Sequence, residues 1–192
     1  MTNRLFPILL MALLAFSSGC ATREELIAKS AIVPAGIDLS GRWQLRVESE
    51  DTVRRIGEAE VEAAGGRASA GLVKEKKRRR SSDGALVHVF LEVGTSLKLT
   101  QTEHGLFISF DRSIVEEYRF GEKRVVNVGP IVADRVSGWE GTNYIIETLG
   151  EKGGKLIETY VLADGGSSLI RTVTLYRDGE IQIDIEQVFD RV

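Results

Sequence analysis

From Asn143 onward the chain alternates apolar and polar residues in four runs, 143–149, 155–162, 168–176 and 180–189. In the last of them Ile181, Ile183 and Ile185 alternate with Gln182, Asp184 and Glu186. A period of two puts one face toward a core and the other toward water, the signature of antiparallel strands. Gly153-Gly154, Asp164-Gly165-Gly166 and Asp178-Gly179 separate the runs. These residue types accept the positive φ of tight hairpin turns. The spacing therefore predicts a four-strand up-and-down meander.

The same period recurs upstream. Trp43, Leu45 and Val47 alternate with Gln44, Arg46 and Glu48; Val87, Val89, Leu91 and Val93 share one parity, as do Leu97 and Leu99, and Leu106, Ile108 and Phe110. Between Arg54 and Lys74, and between Val125 and Trp139, strand boundaries are ambiguous, so the pattern allows between about eight and twelve strands. No helical period stands out beyond the first 37 residues. The expected fold is all-β, an antiparallel up-and-down meander. Sequential hairpins over a whole domain favour closure into a barrel or a strongly curved sheet, because closure removes exposed edges.

The N-terminus has a different character. Met1 to Arg4 is a short charged start, Leu5 to Phe16 is an almost uninterrupted apolar run, and Ser17-Ser18-Gly19 precedes Cys20, the single cysteine. A bilayer span needs about 20 apolar residues, more than this run supplies. The pattern resembles a bacterial lipoprotein signal with its lipobox, although Ser17 stands where Leu is commonest. That resemblance implies cleavage before Cys20 and acylation of its sulfur with palmitate-type chains. The alternative is a plain secretory signal with an incidental cysteine. The expected organisation is a signal peptide over 1–19, an acylated Cys20 with a tether over 20–37, and a barrel-like domain over 38–192. Glu24 to Ala31 is expected to form a turn or two of helix, closed by Pro34 and Gly36, and a flexible linker of this length reaches roughly 20–25 Å. Ala21 follows the cysteine where Asp would resemble an inner-membrane retention signal. The resemblance thus implies the outer membrane, on its periplasmic face.

Without residues 1–19 the chain loses Arg4 and no acid, leaving 24 basic against 28 acidic residues, a formal −4. Mild acidity gives no general attraction to nucleic acid. With Cys20 committed to lipid, no thiol remains for a disulfide, a cysteine-ligated metal or a cysteine nucleophile.

Leu39-Ser40-Gly41-Arg42-Trp43 opens the first strand. It resembles the Gly-x-Trp start of lipocalin-like and related calycin barrels. In those, the Trp packs across the closed end and a basic residue near the end of the last strand lies over its indole. Gly41, Trp43 and Arg191 are the matching barrel-closing positions here, and the stacking has a rationale in cation–π attraction. Val136-Ser137-Gly138-Trp139-Glu140-Gly141, Ile146-Glu147-Thr148 and Glu158-Thr159-Tyr160 are similar to a group of uncharacterised proteobacterial envelope proteins, which implies no activity. The sharpest charge feature is Lys74, Lys76, Lys77, Arg78, Arg79 and Arg80, interrupted only by Glu75 and followed by Ser81-Ser82-Asp83-Gly84. It fits either a contact with anionic lipid headgroups or a solvated hairpin loop.

The two histidines, His88 and His104, have no spacing that would bring them together as metal ligands or as an oriented base. Pairs such as Asp184 with Glu186, or Glu58 with Glu60, share the solvent face of a strand. No Ser-His-Asp order, phosphate-cradling loop or metal motif is present. The reading from sequence is a non-enzymatic outer-membrane lipoprotein without a cofactor, whose barrel binds a small apolar or amphipathic ligand. The alternative is a structural module that stabilises an envelope complex. An integral outer-membrane barrel is disfavoured by charge-dense strands and few aromatics.

Overall fold

A computed structural model describes residues 24–46, 90–92, 94–111, 115–128, 130–151 and 153–192, with Arg54, Arg55, Gly57, Glu58 and Val61. Cys20, the basic run from Lys74 to Arg80, and His88 lie outside the described residues.

Ten strands follow in order: β1 (Gly41–Leu45), β2 (Ser96–Gln101), β3 (Gly105–Phe110), β4 (Val115–Arg119), β5 (Glu122–Val128), β6 (Ile131–Glu140), β7 (Asn143–Gly150), β8 (Lys155–Ala163), β9 (Ser168–Arg177) and β10 (Glu180–Arg191). They make one antiparallel sheet in the order β4-β3-β2-β1-β10-β9-β8-β7-β6-β5. β1 pairs with β10, so the sheet curls into a nearly closed barrel. Only β4 and β5 remain unpaired with each other, although just Phe120 and Gly121 separate them in the chain.

A few polar bonds bridge that seam. Gly121 N donates to Ser137 O (2.8 Å), and Ser137 Oγ donates to Arg119 O (2.9 Å). Arg124 Nη2 donates to Glu117 O at 2.9 Å. Two carbonyls of the β4 edge, those of Glu117 and Arg119, are thereby covered by side chains from β5 and β6.

The glycine-rich punctuation forms hairpins where the spacing predicted them. Asp178 and Gly179, joining β9 to β10, have φ of 53° and 80°, the two positive values a tight two-residue turn requires. One expectation fails in the adjoining strand. Register shifts between Ile181 and Ile183, which opposes Ile181 to Tyr176 and Ile183 to Leu175. The extra residue of this bulge turns Ile181 outward, 56% exposed, while Ile185 stays buried.

The strand expected over 87–93 is also absent from its described part. Phe90 to Glu92 is not strand, and Phe90 and Leu91 are both buried despite opposite parity. This stretch lies against the barrel's core instead of in its wall, so both of its faces are covered. Helical residues occur at 54–55, 57–58 and 61, in the stretch where period two is hard to trace.

Glu24 to Ala31, expected to be helical, runs extended along the outside of the barrel as a strap. Ser30 and Trp139 exchange both backbone hydrogen bonds (3.1 and 2.9 Å), which replaces the bonding a helix would supply. Leu26 packs with Val136 and Leu149, apolar residues on the outer faces of β6 and β7. A Cβ on Gly138 would lie 2.5 Å from Ser30 O, so only glycine lets the strap approach this closely. Val33 and Ile37 then pack onto the main core at the end of the barrel where Trp43 and Trp139 sit.

Candidate functional site

Strand register decides what enters the barrel. Inward positions alternate, and directly opposed residues share a face. Arg135 faces Thr148, Tyr144 faces Tyr160, Tyr160 faces Arg171, and Arg171 faces Gln187 across β6 to β10. On the far side of the seam, Glu116 and Tyr118 project inward from β4 opposite Ile108 and Leu106. A band of charged and hydroxyl groups therefore crosses an otherwise apolar interior.

Arg171 is fully buried, and its guanidinium is almost saturated. Nη2 donates to Glu158 Oε2 (2.5 Å) and to Glu92 O (2.7 Å); Nε donates to Tyr160 OH (3.1 Å) and Nη1 to Gln187 Oε1 (2.7 Å). Its charge also lies 4.6 Å from the centre of the Phe110 ring. Burial disfavours the charged form, but Tyr160 and Glu158 outweigh it and hold the pKa above the ordinary arginine value. Burial drives the Tyr160 and Tyr118 phenols well above theirs, so both stay protonated.

Arg135, 2% exposed, is less complete. Nε donates to Thr148 Oγ1 at 2.9 Å and Nη1 pairs with Glu116. Its guanidinium sits between Phe90 (5.2 Å) and Tyr118 (5.3 Å). Burial opposes this charge too, and Tyr118, Glu116 and Glu158 overcome that to raise the pKa. Among the described residues, however, Nη2 is buried with no partner, and so are Gln187 Nε2, Tyr144 OH and, at the end of the barrel, Trp139 Nε1. A buried donor left unmatched costs about 1–3 kcal/mol. Unmatched donors within a buried charged band single it out as the candidate site.

The space beside the band is small. A void of about 20 Å³ is bordered by Ile108, Phe110, Glu116, Tyr118, Glu158 and Tyr160, with Glu92 at its edge. That holds about one water molecule. Phe90 and Leu91 fill the interior next to it, and Glu92 is fastened there through its carbonyl to Arg171.

The three barrel-closing residues named from the sequence lie together at one end of the barrel. Trp43 is 1% exposed, and its Nε1 donates to Leu39 O at 3.2 Å. The Arg191 guanidinium stands 4.2 Å over the indole, with Nη1 donating to Ser40 O (2.6 Å) and Nε to Gly166 O (2.8 Å). A Cβ on Gly41 would lie 2.7 Å from Arg191 Nη1, so glycine makes room for the stacked arginine. Phe120, Trp139 and Tyr144 line the same end, edge to face with centroids 5.3–5.6 Å apart.

His104 is exposed in the turn before β3, and Asp184 and Glu186 face solvent on β10. Reasoning from sequence missed Arg135, Arg171, Glu158 and Glu116. A signal existed for the first three, since each holds an inward parity: Ala133-x-Arg135-x-Ser137, Leu156-x-Glu158-x-Tyr160 and Leu169-x-Arg171-x-Val173.

No protein-family model matches the sequence, and no curated protein matches it. Solved structures match at the level of overall shape. Secretory abundant heat soluble protein 4 from Ramazzottius varieornatus is 17% identical at a TM-score of 0.44, covering 80% of this chain and 94% of that one. A luciferase domain from the dinoflagellate Lingulodinium polyedrum is 14% identical at 0.45, covering 85% of this chain and 47% of its own. A point mutant of the fluorescent protein UnaG is 13% identical at 0.42, covering 80% and 95%. These are calycin-like β-barrel proteins. At such scores the likeness is one of general barrel shape, and no function is carried across by it.

Proposed function

We propose that the protein is a non-catalytic, lipid-anchored protein of the outer membrane whose barrel takes up one small amphipathic molecule. The observation that carries this reading is the charged band with its unpaired donors. A barrel that served only as a scaffold would gain by replacing such a band with apolar side chains, because buried ion pairs are often no better than a well-packed hydrophobic substitute. A ligand's polar end, bearing an oxygen acceptor, would satisfy Arg135 Nη2 and Gln187 Nε2. Its apolar part would take the place now filled by Phe90 and Leu91. Pockets for small molecules run to about 300–1,000 Å³, so binding requires that Phe90 to Glu92 withdraw. The lipid anchor rests on the lipobox-like sequence around Cys20.

One observation favours a second reading, a module that stabilises an envelope complex: among the described residues, the void beside the band is only about 20 Å³. Native mass spectrometry of the protein purified from its own cells separates the two. The ligand reading expects a co-purified small molecule at one per chain. Bare protein from every preparation would favour the module.

A further inference from the structure

We infer that the strap from Glu24 to Val33 lays the barrel on its side against the bilayer, with the outer face of β5 to β8 toward the headgroups. The inference rests on the proposed acylation of Cys20 and extends it from attachment to orientation.

The strap is pinned along its length. Glu24 pairs with Lys155 (2.8 Å), Glu25 with Lys123 (2.7 Å), and Lys29 with both Glu140 and Glu147 (2.5 Å each). Leu26 is 4% exposed beneath it, and Ser30 is bonded to the backbone of Trp139. A chain fixed at Glu24 leaves only four residues back to Cys20, which extend to at most about 14 Å. The headgroup layer takes roughly 5–8 Å of that distance. The free spacer expected from the sequence would let the barrel turn at will, whereas the pinned strap holds one wall within side-chain reach of the lipid.

That wall is suited to the contact. On the strap Ile27 and Ile32 are each 79% exposed, and Val125, on the outer face of β5 two residues from Lys123, is 63% exposed. The ion pairs of the strap cancel most of the charge around them, so approach to the interface requires little desolvation of unpaired ions. Aliphatic side chains on such a surface seat about 5–10 Å into the headgroup and acyl boundary.

The test uses the full acylated protein in vesicles of phosphatidylethanolamine and phosphatidylglycerol. A single environment-sensitive fluorophore is placed by Ile27→Cys, Ile32→Cys or Lys98→Cys. Lys98, exposed on β2, lies on the opposite side of the ten-strand barrel from β6 and β7. We expect blue-shifted emission and quenching by brominated lipid at 27 and 32, and water-like emission without quenching at 98. Protein that floats with the vesicles while either strap label stays in water overturns the side-on orientation and leaves the anchor intact. Protein that does not float overturns the anchor, and the orientation with it.

Discussion

Three arginines of the barrel stack on aromatic rings, and the setting of Arg191 differs from that of Arg171 and Arg135. At the closed end Arg191 stands 4.2 Å over Trp43, with its remaining bonds made to two backbone carbonyls. In the interior band Arg171 stands 4.6 Å from Phe110, paired with Glu158 and out of contact with water, while its neighbour Arg135 keeps one donor unmatched. The first arrangement is complete: a large aromatic fills the end and an accessible cation covers it. The second carries desolvated charge that packing alone does not require. Closing a barrel and equipping its interior thus draw on the same side-chain pair to different ends.

If the closed end is where stability resides, Trp43→Ala should have the largest effect, about 3–5 kcal/mol, as truncation of a buried aromatic does. Chemical denaturation measures this directly, and a midpoint near that of the parent would contradict it.

The interior band sharpens the contrast through a pair of variants. Glu158→Ala alone strands the Arg171 charge and should cost about 3–5 kcal/mol. Replacing both members, Glu158→Leu with Arg171→Met, should return stability to near the parental value, since apolar substitutes of similar volume are often neutral or better. A double variant as unstable as the single one would mean that the band is a structural element.

Smaller effects test how the closed end is finished. Arg191→Ala should lose about 0.5–2 kcal/mol with the cation–π contact. Gly41→Ala crowds the same guanidinium and should cost about 1–3 kcal/mol, as overpacking does. In Gly41→Ala with Arg191→Ala the crowding disappears, so the two losses should not add.

The strap supplies the smallest effect. Burial lowers the Lys29 pKa, but its bonds to Glu140 and Glu147 prevail and leave it above the usual 10.5. A raised pKa in the folded state means stabilisation that is fully present below 10.5 and is lost as pH rises through the folded value. The stability difference between the parent and Lys29→Met should therefore shrink only in strongly alkaline buffer. A difference that persists unchanged there would show that the ion pairs contribute little.

Much of the wall was legible in the sequence because it is local. Strands β7 to β10 follow from alternation and from turns such as Asp178-Gly179, both readable within a few residues. The closing set of Gly41, Trp43 and Arg191 came from a motif at each end of the chain. The strap was not legible, since Leu26 is buried by Val136 and Leu149, more than 100 residues away, on a face that alternation assigns to water. Phe90 and Leu91 misled for the opposite reason: a segment surrounded on both sides obeys no period of two. The charged band lies between these cases. Parity puts Arg135, Glu158 and Arg171 inside, but only the closed sheet brings Glu116 across the seam to Arg135.

The central claim is that the band exists to hold a ligand, and the most direct measurement is binding to a barrel altered at Arg135, which carries an unmatched donor. Arg135→Met keeps the apolar bulk between Phe90 and Tyr118 and removes Nη2 together with the bonds to Thr148 and Glu116, while Glu158 and Arg171 remain paired. Titration of the parent and of this variant with an amphipathic fluorescent probe bearing an oxygen-rich head should give saturable binding at one site per parent chain. The variant should bind weakly at a temperature where circular dichroism shows it still folded. Equal binding by both proteins, or no saturable binding by the parent, would contradict the account.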